Sequence, residues 1–153
     1  MIWRSKSELE GGFTLIEMIV VLTVLALLTV LLVNNASQVS PATHARSAAQ
    51  GISAALRSAR SEALSTNRSV TFSLDVANRT YRWGQSLPIP LPGDIQLSVL
   101  TGDQLASDTV GRFRFDPDGG SSGGRVTIEG GGRIWWVGID WLSGRVSLEQ
   151  PPQ

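Results

Sequence analysis

The strongest pattern in the chain is an unbroken apolar run over residues 13–33, which stops at Asn34-Asn35 and gives way to two shorter periodicities. As a helix rising about 1.5 Å per residue the run spans roughly 31 Å, close to the roughly 30 Å hydrocarbon core of a bilayer. Its polar members are Thr14, Glu17, Thr23 and Thr29, and threonine hydroxyls can return to their own helix carbonyls. So long a run with so few polar interruptions predicts one membrane-spanning helix rather than a buried core helix.

Asn34-Asn35-Ala36-Ser37-Gln38 marks the exit into water. Ala45, Ala48, Ala49, Ile52, Ala55, Leu56, Ala59 and Ala63 then recur at three and four residue spacing, with Arg46, Gln50, Arg57, Ser61 and Glu62 on other faces. This predicts one long helix continuing to about Ser65, kinked near Pro41, with Ser40-Pro41 suited to an N-cap and first helical residue. The small apolar face calls for close packing on a sheet.

After Asn67 the period becomes two. Val70, Phe72 and Leu74 alternate with polar residues, and a turn at 75–78 leads into Thr80 to complete a hairpin. Residues 87–93 carry three prolines, which cannot serve a central strand, and are expected as a connecting loop. Ile95, Leu97 and Val99 form the next strand, residues 102–111 a loop, and residues 112–115 a strand with Phe113 and Phe115 inward and Arg112 and Arg114 outward. The Gly-rich stretch 116–124 turns into a strand at 125–129. Gly130-Gly131-Gly132 turns the chain again into 133–140, where Trp135, Val137 and Ile139 share one face and Ile134 and Trp136 the other. A turn at Ser143-Gly144 leads to a closing strand.

The fold class is therefore α+β, a long amino-terminal helix packed on antiparallel sheets. The divisions are residues 1–12, the apolar segment 13–33, the amphipathic helix 34–65, a β-rich head over 66–149 and a tail at 150–153. With 13 basic and 13 acidic residues the net charge is zero, which gives no reason to expect a nucleic-acid partner. The chain has no Cys, so an exported head must be held by packing alone.

Gly11-Gly12-Phe13 precedes the apolar run. In a secretory signal the small-residue cleavage site follows the apolar core, so a cut before Phe13 would retain the anchor. Glu17 has two readings. It can snorkel to the near interface, or it can neutralise the amine freed at Phe13, its own or a neighbour's, in the low-dielectric interior of an assembly of parallel anchors.

Gly12-Phe13-Thr14-Leu15-Ile16-Glu17 followed by an apolar helix resembles the type IV prepilin signature shared by pilins and the pseudopilins of type II secretion. The resemblance implies cleavage after Gly12 by a prepilin peptidase, methylation of the Phe13 amine by the same enzyme, and a role for Glu17 in subunit registration. Such leaders are usually net basic, whereas here Arg4 and Lys6 are balanced by Glu8 and Glu10. Arg60-Ser61-Glu62-Ala63, Phe115-Asp116-Pro117-Asp118-Gly119 and the run from Ile139 through Asp140-Trp141-Leu142-Ser143-Gly144-Arg145 to Val146 resemble the H-type minor pseudopilins. That likeness implies a pilin-like subunit of the bacterial inner membrane with its head in the periplasm, placed near the tip of a pseudopilus. Its partners would be other minor pseudopilins and the major pseudopilin, and its role to support export of folded proteins.

Other chemistry is weakly indicated. Asp116 and Asp118 open like a calcium loop, but Thr127 holds the twelfth position where a glutamate would be needed, so a turn is expected. The sole histidine, His44, stands apart from any nucleophile motif and is read as a solvent or interface residue. No catalytic, cofactor-binding or metal residue is assigned, and the chain is expected not to be an enzyme. Arg112, Arg114 and Arg125 are either a solvated face or a docking surface, and Ile134 with Trp136 either second-sheet core or an exposed anchor. The competing function is a type IV pilus minor pilin whose arginines bind DNA for uptake; a membrane-tethered enzyme is a third class.

Overall fold

The structure is a computed structural model that describes residues 14–36, 40–101 and 109–151, with side chains in the first segment given as far as Val30. The expected leader, Gly12 included, and Phe13 after it lie outside the described residues, as do most of the 102–111 loop and the last two residues of the tail. The chain divides into two units at Gln38 and Val39.

The first unit contains helix α1, Leu15–Ala36. Its threonines behave as lipid-tolerant residues should: the Thr23 hydroxyl donates to the Ile19 carbonyl and that of Thr29 to the Leu25 carbonyl, both at 2.7 Å. Among the described residues no helix is long and apolar enough to cross a membrane.

The second unit opens with α2, Pro41–Thr66. The continuous helix expected from the sequence is not found. Ser40 has φ −57° and ψ 139°, an extended conformation that the following proline favours because its ring crowds a helical predecessor. Pro41 therefore starts a helix, where its missing N–H costs nothing, instead of kinking one. At the other end Asn67 takes a left-handed conformation with φ 52°, and its backbone N–H donates to the Ala63 carbonyl, which closes the helix.

Two four-stranded antiparallel sheets follow. Strands β1 (Val70–Asp75), β2 (Thr80–Trp83), β3 (Ile89–Pro90) and β5 (Val110–Phe115) form the first, in the order β3-β2-β1-β5. Strands β4 (Gln96–Thr101), β6 (Gly124–Gly130), β7 (Arg133–Ile139) and β8 (Val146–Glu149) form the second, in the order β4-β6-β7-β8. The proline-rich stretch expected as pure loop thus contributes a two-residue edge strand, pairing Tyr81 with Ile89; an edge is where proline is tolerated in a sheet. Strand β5 begins two residues earlier than its alternation suggested, because Val110 and Gly111 pair with Asp75 and Leu74. Gly131 and Gly132, with φ 57° and 73°, make the two-residue turn between β6 and β7 that sets Gly130 opposite Arg133.

The buried face of α2 is the predicted alanine-rich stripe joined by Ser53, and it packs on strands from both sheets. Small residues make the approach close: a Cβ on Gly130 would lie 2.5 Å from the Pro41 carbonyl oxygen and 2.9 Å from the Ala45 methyl. Phe72, Phe113 and Phe115 fill the centre, all fully buried. The Phe72 ring lies 5.9 Å from Tyr81 and 6.2 Å from Phe113, within the range where aromatic pairs gain beyond area burial.

Candidate functional site

Two regions carry features that the fold does not require. In α1, Thr14 precedes the first helical residue, and its Oγ1 accepts a hydrogen bond from the Glu17 backbone N–H at 3.3 Å. Thr14-Leu15-Ile16-Glu17 is thus a capping-box sequence, a signal that the charge-pair readings of Glu17 pass over. The carboxylate also sits in the first helical turn, where the helix dipole favours an acid. Every described side chain of α1 is exposed. An all-round apolar helix of this kind needs lipid or other helices around it.

The second region lies in the head, where three sequence-distant segments meet. In the 140–145 turn, Asp140 Oδ1 accepts from the Ser143 backbone N–H at 2.8 Å and from its hydroxyl at 2.6 Å. The Gly144 N–H donates to the Asp140 carbonyl at 2.9 Å, and the Asp140 N–H to the Arg145 carbonyl at 3.0 Å. In the 116–123 loop, the Ser69 hydroxyl donates to Asp116 at 2.8 Å, and the Gly120 N–H to Asp118 at 2.9 Å. The loop is tied to the turn by the Ser121 N–H, which donates to the Trp141 carbonyl at 2.9 Å. From α2, Arg60 Nε donates to the Ser143 carbonyl at 3.1 Å. On this frame Trp141 and Leu142 stand 68% and 70% exposed.

The Ser143 hydroxyl, followed by its backbone N–H, holds the Asp140 carboxyl below its ordinary value, against a smaller opposing effect of desolvation and with some help from Arg145. A depressed folded-state pKa contributes stability above the unfolded value of about 3.9 and loses it as pH falls through the folded value. Asp140→Ala should therefore melt below the parent at neutral pH, with the gap narrowing as the pH falls through the depressed folded-state value; thermal unfolding from neutral to acid pH measures it. A gap independent of pH would show that the carboxylate's charge plays no part.

The remaining candidates separate. Arg112 and Arg114 lie on the exposed face of the first sheet, whereas Arg125 belongs to the second. The strands carrying these residues pair in different sheets, although β4 and β5, the neighbouring edges of those sheets, lie close together. Arg114 is also partly neutralised by Asp116 at 3.2 Å. Ile134 is 38% exposed, and Trp136 is half-buried beneath the Arg125 guanidinium, 4.6 Å from its ring centroid. Among the described residues of the head no further layer covers that face of β7, so they are not second-sheet core there. His44 is not merely solvated, since its Nδ1 donates to Asp94 Oδ2 at 2.7 Å and joins the first turn of α2 to the residue before Ile95. That bond is the main cause holding the Asp94 carboxyl below its usual range. Asp116 and Asp118 are occupied in turn geometry, and the described residues contain no group of three His, Cys, Asp or Glu that could hold a metal ion.

The joined segments, Arg60, the 116–123 loop and the turn through Ser143, fall within a match to the family model described as type II transport protein GspH, which covers residues 48–143. The chain belongs to the GspH family. A second model, the prokaryotic N-terminal methylation motif, matches residues 9–33. The type II secretion system protein H of Xanthomonas campestris pv. campestris is 29% identical over 136 residues, covering 88% of this chain and 80% of the relative. The minor pseudopilin EpsH from the type 2 secretion system of Vibrio cholerae superposes with a TM-score of 0.58 at 17% identity, over 72% of this chain and 99% of that one. The pilin-like α+β fold and the H-type resemblance expected from the motifs thus agree with the family. Within this GspH chain, Arg60-Ser61-Glu62-Ala63 and the 140–145 turn are elements of one structural joint.

Proposed function

We propose that the chain is a structural minor pseudopilin of type II secretion, stored in the inner membrane with its head in the periplasm. It is cleaved between Gly12 and Phe13, methylated at Phe13 and incorporated near the tip of a periplasmic pseudopilus, where it supports export of folded proteins. Membership of the GspH family is the observation that carries the reading, and the methylation-motif match over residues 9–33 supports the processing step. The apolar exposure of α1 supports insertion in lipid and then among parallel helices of other pseudopilins. The zero net charge and the division of Arg112, Arg114 and Arg125 between two sheets favour this reading over DNA uptake.

Glu17 connects processing to packing. The cut frees an amine about one helical turn from its carboxylate, and breaking a buried charge pair by removing one partner costs about 3–5 kcal/mol. Glu17→Ala should leave membrane insertion intact and reduce pseudopilus incorporation at least about tenfold, read by fractionation and by secretion in a strain lacking its own copy. Glu17→Gln separates the two roles, since glutamine can retain the capping-box position without the charge. Normal incorporation of both variants would falsify the pairing role. Substituting Gly12 should leave the full-length precursor uncleaved and unmethylated, as mass spectrometry of the amino terminus would show.

A further inference from the structure

A cavity of about 360 Å³ between α2 and the 140–145 turn is lined by Arg57, Arg60, Ser143, Arg145 and Val146. Three of these residues are arginines, and among the described residues none of them forms an ion pair. Arg60 is fixed by its Nε bond to the Ser143 carbonyl, and its terminal nitrogens make no hydrogen bond among the described residues, on a side chain already ordered. The acid on the turn, Asp140, is near enough to influence Arg145, but its Oδ1 is engaged by both Ser143 donors. Three cations gathered beside a single acid favour an oxyanion, and a planar guanidinium pairs well with a carboxylate.

The flanks decide which oxyanion. Trp141 and Leu142, immediately before Ser143, are 68% and 70% exposed on a turn locked by hydrogen bonds. A free phosphate would leave both side chains in water, and the zero net charge gives no support to a nucleic-acid strand. A protein segment would cover them, and Trp and Arg are the residue types that dominate binding energy at protein interfaces. We propose that this cavity receives a carboxylate from an acidic segment of a neighbouring pilin-like head, while Trp141 and Leu142 pack on apolar side chains beside that carboxylate. The identity of the partner as another head rests on the pseudopilin reading; the carboxylate chemistry does not. One such contact is weak alone, but anchors packed in parallel hold heads at high effective concentration, so affinity in the millimolar range is sufficient.

The test uses the full-length chain in detergent micelles, with arginine Nε resonances followed by NMR as the peptide acetyl-Leu-Asp-Leu-Glu-Leu-amide is added. The expected result is a saturable shift at Arg60. Binding should weaken at least about tenfold in Arg57→Gln/Arg145→Gln, and likewise when Asn and Gln replace the acids of the peptide. The Arg57→Lys/Arg145→Lys variant should recover part of the loss. Neither exposed arginine side chain is used in the fold's hydrogen bonding among the described residues, and an unchanged thermal midpoint confirms that the variants are intact. Absence of a saturable shift overturns the proposal, as does inorganic phosphate saturating the same resonance at the same concentration. Secretion complementation tests the pseudopilin reading separately, so failure of one is distinguishable from failure of the other.

Discussion

Truncating Phe113 to alanine should lower the unfolding free energy of the head by about 3–5 kcal/mol, the range for a large aromatic removed from a closed core. Phe113 is fully buried on β5, with the Phe72 ring 6.2 Å away. Its edge also reaches the second sheet, since a Cβ on Gly124 would fall 2.7 Å from Phe113 Cε1. The ring thus helps hold both sheets together, and neighbours drawn from both cannot collapse into the space at once. With no cysteine there is no disulfide to offset the loss, and total stabilities of about 5–15 kcal/mol leave little reserve. Chemical denaturation measures the effect, with Arg112→Ala on the exposed face of the same strand expected within about 0.5 kcal/mol of the parent. A Phe113→Ala loss below about 1 kcal/mol would show that the two sheets do not close over this ring.

Phe113 was legible in the sequence because strand alternation assigns sides directly. The same rule placed Val70, Phe72 and Leu74 inward, and helical spacing identified the apolar stripe of α2. These positions depend only on local period and on one buried face. What alternation does not contain is which strands share a sheet. Arg125 and Arg114 both point outward, yet strand order places them in separate sheets, and no local pattern in the sequence encodes that order. The status of Ile134 and Trp136 failed to resolve for a related reason: a strand apolar on both faces looks the same whether its second face is covered by another layer or by a single arginine. The break before α2 was written in Ser40-Pro41, but a strong apolar period on each side outweighed it. The joint between Arg60 and the 140–145 turn was visible only as motifs. Their separation in sequence hides that Arg60 reaches the Ser143 carbonyl.

Gly144→Ala should disrupt that joint and cost about 2–4 kcal/mol, more than a change of one methyl group suggests. Gly144 has φ 59°, a left-handed conformation that costs an L-residue about 1–2 kcal/mol. Its Cβ would also lie 2.5 Å from the Gly119 carbonyl oxygen and 3.0 Å from Arg60 Nε. The first neighbour is backbone in a loop held by its own hydrogen bonds, so it cannot simply rotate away. The second is the guanidinium that anchors the turn to α2. Relief of the clash must therefore displace the 116–123 loop, the turn or Arg60, and with them Trp141 and Leu142. Gly132→Ala isolates the conformational part: φ there is 73°, and a Cβ would meet nothing within 4 Å. It should cost about 1–2 kcal/mol and leave Arg60 where it is. The two variants, compared by denaturation and by the Arg60 Nε resonance, separate backbone strain from collision. Equal losses with an unmoved Arg60 signal would mean that the joint yields freely; a larger loss at Gly144 with that signal shifted would identify it as the rigid support of the exposed turn.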